Sequence, residues 1–145
     1  MNDPSSNQIL YPGFALFSLT VVVLMRMRAM RFAAVRSGKV SIDYYRAFRD
    51  GDEPEELRVV SRHFVNLFEM PVLFYVVIIM IHITESVSSW LITLAWLYVA
   101  LRYLHSYIHL GSNDVRKRVT VYLASAFVLL VMWASLFLRL VLGGS

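Results

Sequence analysis

The sequence predicts an all-α integral membrane protein folded as an antiparallel bundle of four transmembrane helices, and three observations carry that prediction. Of its 145 residues, 58% are hydrophobic and only 17% charged, with a mean hydropathy of +0.59, a composition that cannot cover a water-soluble domain. Uncharged runs occur at 11–25, 70–84, 86–101 and 119–138, and the segments between them hold almost every ionisable residue. At roughly 20 residues per crossing, a chain this short holds four spans only if nearly all of it is helical. Soluble enzymes and disordered tails are thereby excluded, and the whole chain, 1–145, reads as one domain.

The first span is expected at about 9–34, closing on Arg26 and Arg28. No basic region precedes its apolar run and no small-residue cleavage pattern follows, so the segment is expected to be retained rather than removed as a signal peptide. A cytosolic loop is expected at about 37–57. In it, Asp50-Gly51-Asp52 followed by Pro54 and Glu55 combines a turn, an N-cap candidate and a first-turn proline, which starts the second helix near Glu53. The second span, about 58–83, carries Arg62 and Glu69 to membrane depth, and the third, about 87–110, carries Arg102. Gly111-Ser112-Asn113-Asp114 supplies a helix stop and a new N-cap, so the fourth span, about 115–141, folds back on the third as a hairpin. Trp90, Trp96 and Trp133 read as packing and interface anchors.

Charge placement orients the bundle. The excess of 14 Lys and Arg over 10 Asp and Glu would hint at nucleic acid in a soluble protein; here the distribution along the chain decides, and no nucleic-acid partner is expected. Nine basic residues lie from Arg26 to Arg62 and four from Arg102 to Arg118, leaving Arg139 as the one dissenter. Loops one and three therefore face the cytosol and both termini lie outside. All the intramembrane charges then fall in the cytosolic half of the bundle, where one polar site can collect them.

At about 100° per residue, Arg62, Asn66 and Glu69 fall near 0°, 40° and 340°, one stripe of the second helix. Arg102, His105 and His109 make a stripe on the third, and Arg118, Tyr122 and Ser125 one on the fourth. Each charge has a plainer reading, a snorkelling interfacial residue for Arg62 or packing material for Tyr122 and Ser125. Glu69 resists it, lying nearly two turns deeper. His105 and His109, at i and i+4, could hold a metal, or a haem with His63 or His82. Yet His63 lies about 100° off the Arg62 stripe, His82 belongs to the opposite leaflet, and the arginines repel a cation. No metal is expected. The sequence has no cysteine, so protein thiol chemistry is excluded and any sulfur must arrive with a ligand.

A cluster of Arg26, Arg62, Arg102 and Arg118 with one carboxylate, an amide and imidazoles calls for an anion with more than one carboxylate, and Glu69 for an amine. Glutathione has that charge pattern and brings a thiol. Taken in order, Arg62-x-x-x-Asn66-x-x-Glu69, Arg102-x-x-His105-x-x-x-His109 and Arg118-x-x-x-Tyr122, with Arg26-Met27-Arg28 closing the first span, resemble the MAPEG family, the membrane-associated proteins in eicosanoid and glutathione metabolism, over nearly the whole chain. The resemblance implies a homotrimer of four-helix bundles with glutathione as co-substrate in a cytosol-facing cleft between subunits. It implies glutathione contacts at Arg62, Asn66, Glu69, Arg102, His105, His109 and Tyr122. It also implies Arg118 as the arginine that stabilises the thiolate, with Arg26 as the other candidate.

The function expected is a membrane-bound glutathione-dependent transferase or peroxidase acting on an apolar, lipid-borne electrophile. The alternative is a non-catalytic binding or scaffold protein of the same build. A channel or transporter would need polar residues along the full membrane depth, whereas 72–81 and 91–100 are almost wholly apolar.

Overall fold

The computed structural model describes residues 6–47 and 53–142, and all the regular structure among them is helical. A 3-10 turn, Ser6–Leu10, leads into α1, Tyr11–Arg36; α2, Tyr44–Ala47, is a single turn in the first loop; α3 is Glu55–Asn66, α4 Met70–Ile83, α5 Ser89–Leu110 and α6 Val115–Leu142. With α3 and α4 taken together, four helical stretches are long and apolar enough to cross a membrane: Ser6–Arg36, Glu55–Ile83, Ser89–Leu110 and Val115–Leu142. The shortest, 22 residues, rises about 33 Å, matching a hydrocarbon core of about 30 Å.

Helix α1 starts with Pro12 in its first turn, where a missing N–H costs nothing. It buries Leu16, Leu19, Val23 and Met27 along one stripe, which leaves Arg26 and Arg28 on exposed flanks. Gly38, at φ +71°, ends the helix by donating to the Val35 carbonyl at 3.0 Å. Beyond it Val40 packs with Ala34 and Leu57 in a small second core. The Asp50-Gly51-Asp52 turn lies outside the described residues. Pro54 stands at the N-cap position of α3, not inside its first turn, and Glu55 and Glu56 follow at the positive end of the helix dipole.

The second span differs from the expected single helix. Pro71 has no N–H to offer the Leu67 carbonyl and its ring crowds the turn before it, so the helix breaks at 67–69. There the ladder contracts to i→i−3 bonds: Phe68 N to Val65 O at 2.9 Å and Glu69 N to Asn66 O at 3.4 Å. Glu69 itself sits at φ −94°, ψ −103°. Below the break, α4 buries Phe74, Val77, Ile78 and Ile81, with Phe74 stacked on Tyr98 of α5 at 4.5 Å between ring centroids.

At one end of the bundle, Ser88 caps α5 by accepting from Leu91 N, and Arg139 donates to the Ser86 carbonyl at 3.2 Å. That bond gives Arg139, which stands apart from the other basic residues along the chain, a backbone partner. At the opposite end, Gly111 stops α5, and Asp114 Oδ1 accepts from the backbone N–H groups of Arg116 and Lys117. The α5–α6 hairpin is the most extensive helix pairing in the bundle. Helix α4 packs on α6, whereas α3 packs on α1 and α5 and has no comparable contact with α6. The bent second span therefore leaves a gap between α3 and α6 in the half of the bundle that holds the α5–α6 turn.

Candidate functional site

That gap is a cleft of about 740 Å³, within the range of roughly 300–1,000 Å³ usual for small-molecule sites. Helix α3 gives it Arg58, Ser61, Arg62 and Asn66, the kink gives Glu69, α5 gives His105 and His109, and α6 gives Arg118 and Tyr122. Of the nine residues predicted from the sequence, seven line this one cavity: Arg62, Asn66, Glu69, His105, His109, Arg118 and Tyr122.

Two of the nine do not. Arg26 is exposed on α1 and borders a smaller pocket of about 290 Å³ with Glu56, Val59 and Asn113. Arg102 lies behind the cleft wall with no exposed surface, its guanidinium over the Tyr122 ring at 5.8 Å. Its Nη2 donates to Asn66 Oδ1 and, at 3.5 Å, to the Asn66 carbonyl, a backbone oxygen loosened by the break in the second span. Asn66 Nδ2 in turn donates to Glu69 Oε2 at 3.0 Å. A chain of bonds thus runs from a buried cation through one amide to a carboxylate at the cleft.

Across the gap, Arg118 Nη1 donates to Asn113 Oδ1 at 2.7 Å, which fixes the guanidinium by the hairpin loop. Asn113 is at φ +51°, a left-handed conformation that asparagine tolerates better than most residues. The backbone carbonyl of Arg118 lies 3.3 Å from His105 Nδ1, and the His105 ring is 5.9 Å from that of Tyr122.

Sequence reasoning missed the roof of the cleft. Arg31 and Glu53, counted only as loop charges, come within 3.7 Å of each other, and Glu53 is buried. Arg31 also donates to Ser61 Oγ at 3.3 Å and stacks over the Tyr45 ring at 5.4 Å, while Arg58 Nη2 donates to the Glu53 carbonyl. Burial, reinforced by the Glu53 charge, pushes the Tyr45 phenol above its usual pKa, with Arg31 pulling the other way. The only sequence signal for this group was an acidic residue amid basic ones near the start of the second helix.

His63 was also set aside, because its 100° offset separated it from Arg62. The structure corrects that reasoning: the offset turns Arg62 to the cleft surface and His63 into the bundle, where it is fully buried against His105 and His109. His82 stands apart at the far end of the bundle, with its Nδ1 2.9 Å from Ser6 Oγ.

With Arg31, Arg58, Arg62 and Arg118 facing Glu53 and Glu69, and Arg102 behind, the cleft is built to receive an anion. A family model described as MAPEG family matches residues 9–138. No curated protein and no solved structure matches the chain.

Proposed function

The chain belongs to the MAPEG family, and on that premise we propose that it is a membrane glutathione-dependent transferase or peroxidase whose cleft binds the tripeptide and stabilises its thiolate. The observation that carries the reading is the arrangement of Arg118 on α6 facing Arg62, Asn66 and Glu69 on the second span across one cavity. Guanidinium forks suit the two carboxylates of glutathione and Glu69 suits its ammonium. Arg118, held at one end by Asn113, favours the charged form of a nearby thiol, and each pKa unit by which it lowers the thiol is about 1.4 kcal/mol of differential interaction. The thiolate is the nucleophile.

Met27, Phe64, Val65 and Val119 line the same cavity, and Val65 and Val119 are exposed, so an apolar electrophile has a path in from the lipid side. Arg62 and Glu69 are exposed on the single chain although they lie within a span, and charges at that depth call for protein neighbours. Two further copies in a homotrimer supply them. Arg26 would then reach a thiol only from a neighbouring subunit, and Arg102 acts by holding Asn66, not by touching the peptide. Both termini lie on the non-cytosolic side in this arrangement.

Titrating the detergent-purified protein with glutathione while following ultraviolet thiolate absorbance tests the reading. The parent is expected to develop the thiolate band, and Arg118→Ala to lose it while keeping the parent's oligomeric state. Binding without thiolate assigns the chain a non-catalytic role.

A further inference from the structure

His63, His105 and His109 form the one cluster of potential metal ligands among the described residues, with one ligand nitrogen from each ring and all of these within 4.8 Å of one another. All three residues are buried. Their ring centroids are 4.8 Å apart for His63 and His109, 5.7 Å for His105 and His109, and 5.8 Å for His63 and His105. Each ring also leaves one buried nitrogen without a hydrogen-bond partner: Nδ1 of His63, Nε2 of His105 and Nδ1 of His109. Buried polar atoms are nearly always satisfied, so three such atoms in one cluster need an explanation.

From this geometry we infer that the three histidines are a binding site for a divalent late transition cation of the zinc class. Two of the remaining nitrogens are already used as such a site requires. His105 Nδ1 donates to the Arg118 carbonyl at 3.3 Å, which leaves the Nε2 lone pair for a metal. His63 Nε2 lies 2.8 Å from Ser106 Oγ, which is itself buried; with the hydroxyl accepting, Nδ1 carries the free lone pair. Imidazole nitrogens select zinc, copper, nickel or iron over magnesium or calcium. A tetrahedral zinc site has ligand nitrogens about 3.3 Å apart, and one nitrogen from each ring already lies within 4.8 Å of the other two, wider than that by about 1.5 Å or less.

His105 and His109 also line the cleft, so the fourth coordination position opens to it. The opposing charges are Arg102 behind the wall and Arg118, whose backbone carbonyl accepts from His105. Arg118 bends away to Asn113, Arg102 is turned to Asn66, and Glu69 stands in the same cavity. An anionic fourth ligand completes the balance. The inference is independent of the thiol chemistry, since it concerns the protein alone.

The test is titration of the chelator-stripped, detergent-solubilised chain with Co²⁺ alone, followed by displacement with Zn²⁺. The parent is expected to bind one ion per chain with the intense d–d absorption of a four-coordinate site. His63→Gln is expected to lose that spectrum. Ser106→Ala, which keeps all three imidazoles but frees the His63 ring, is expected to bind roughly 10–100-fold more weakly and serves if the first variant does not fold. His82→Gln is expected to match the parent. A parent that leaves cobalt with the weak spectrum of the hydrated ion overturns the site, as does a folded His63→Gln or Ser106→Ala protein that binds as the parent does.

Discussion

Asn66→Ala is the most informative single perturbation of this bundle, because one amide is the buried Arg102 guanidinium's side-chain acceptor. Arg102 has no exposed surface, its Nη2 is bonded to Asn66 Oδ1 and to the Asn66 carbonyl, and its Nε and Nη1 find no partner. Removing the amide deletes a hydrogen bond to a charged group, about 1.5–3 kcal/mol. It also strands part of a buried charge, for which about 3–5 kcal/mol is the ceiling when a whole ion pair is broken. The backbone acceptor survives, so the expected cost is about 2–4 kcal/mol. The assay is thermal unfolding in one detergent at one scan rate, since membrane proteins unfold irreversibly and only rates under matched conditions compare. A double-mutant cycle with Arg102→Met isolates the interaction. In the Arg102→Met background the charge is gone and Asn66→Ala is expected to cost about 1 kcal/mol or less, giving a coupling of at least about 1 kcal/mol. Equal costs in the two backgrounds would refute the claim that Asn66 anchors Arg102.

Three further outcomes follow from the same contacts. Asn113→Gly suits φ +51° and is expected to shift stability by less than about 1 kcal/mol, yet by releasing Arg118 it lowers thiolate formation about tenfold; an unchanged glutathione titration would show that the anchor is idle. Pro71→Ala restores an N–H for the Leu67 carbonyl, and is expected to slow amide exchange through 67–71 while weakening glutathione binding about tenfold as Glu69 moves, with hydrogen exchange and equilibrium titration as the two readouts. Ser88→Ala loses the cap on Leu91 N and is expected to cost about 1 kcal/mol in thermal unfolding without altering glutathione binding, since the cap lies at the opposite end of the bundle from the cleft.

How much of this was legible beforehand depends on what periodicity measures. The four crossings and the Gly111 to Asp114 hairpin follow from apolar run length and from residues whose local chemistry admits few conformations. The common direction of Arg62, Asn66 and Glu69 was legible as well: they span about two turns, and although Glu69 sits in the break itself, all three still line one cavity. Depth was not. A stripe angle gives Arg102 a direction but does not say whether it ends in the cleft or in the wall, and that is decided by Asn66 and by the backbone oxygen that the break exposes. Arg26 escaped for a different reason. Helix α1 is apolar on all sides, so no contrast marks its inward face, and the buried stripe through Val23 and Met27 appears only once neighbours are in place. His63 was legible and misread: Leu57, Val60, His63 and Leu67 recur at i, i+3, i+6 and i+10, a buried stripe with an imidazole set in it.

The break in the second span connects these observations. A continuous helix would have engaged the Asn66 carbonyl in its own ladder and given α3 the line that α4 takes along α6. Proline at 71 takes the donor from the Leu67 carbonyl and crowds the turn before it, and with the helix broken there neither happens. The carbonyl becomes available to Arg102, α3 lies against α1 and α5, and the space between α3 and α6 becomes the cavity that holds Arg62, Glu69 and Arg118. An intramembrane proline is costly unless the loosened backbone finds partners. Here the partner is a guanidinium that itself needs an acceptor, so each group offsets the other's desolvation. A bundle that kept the proline but lost Arg102 would leave the Asn66 carbonyl with only the long bond from Glu69 N, and one that kept Arg102 in a straight helix would leave a cation with a single side-chain acceptor. That mutual dependence is why the stability of the wall and the shape of the cleft are expected to change together.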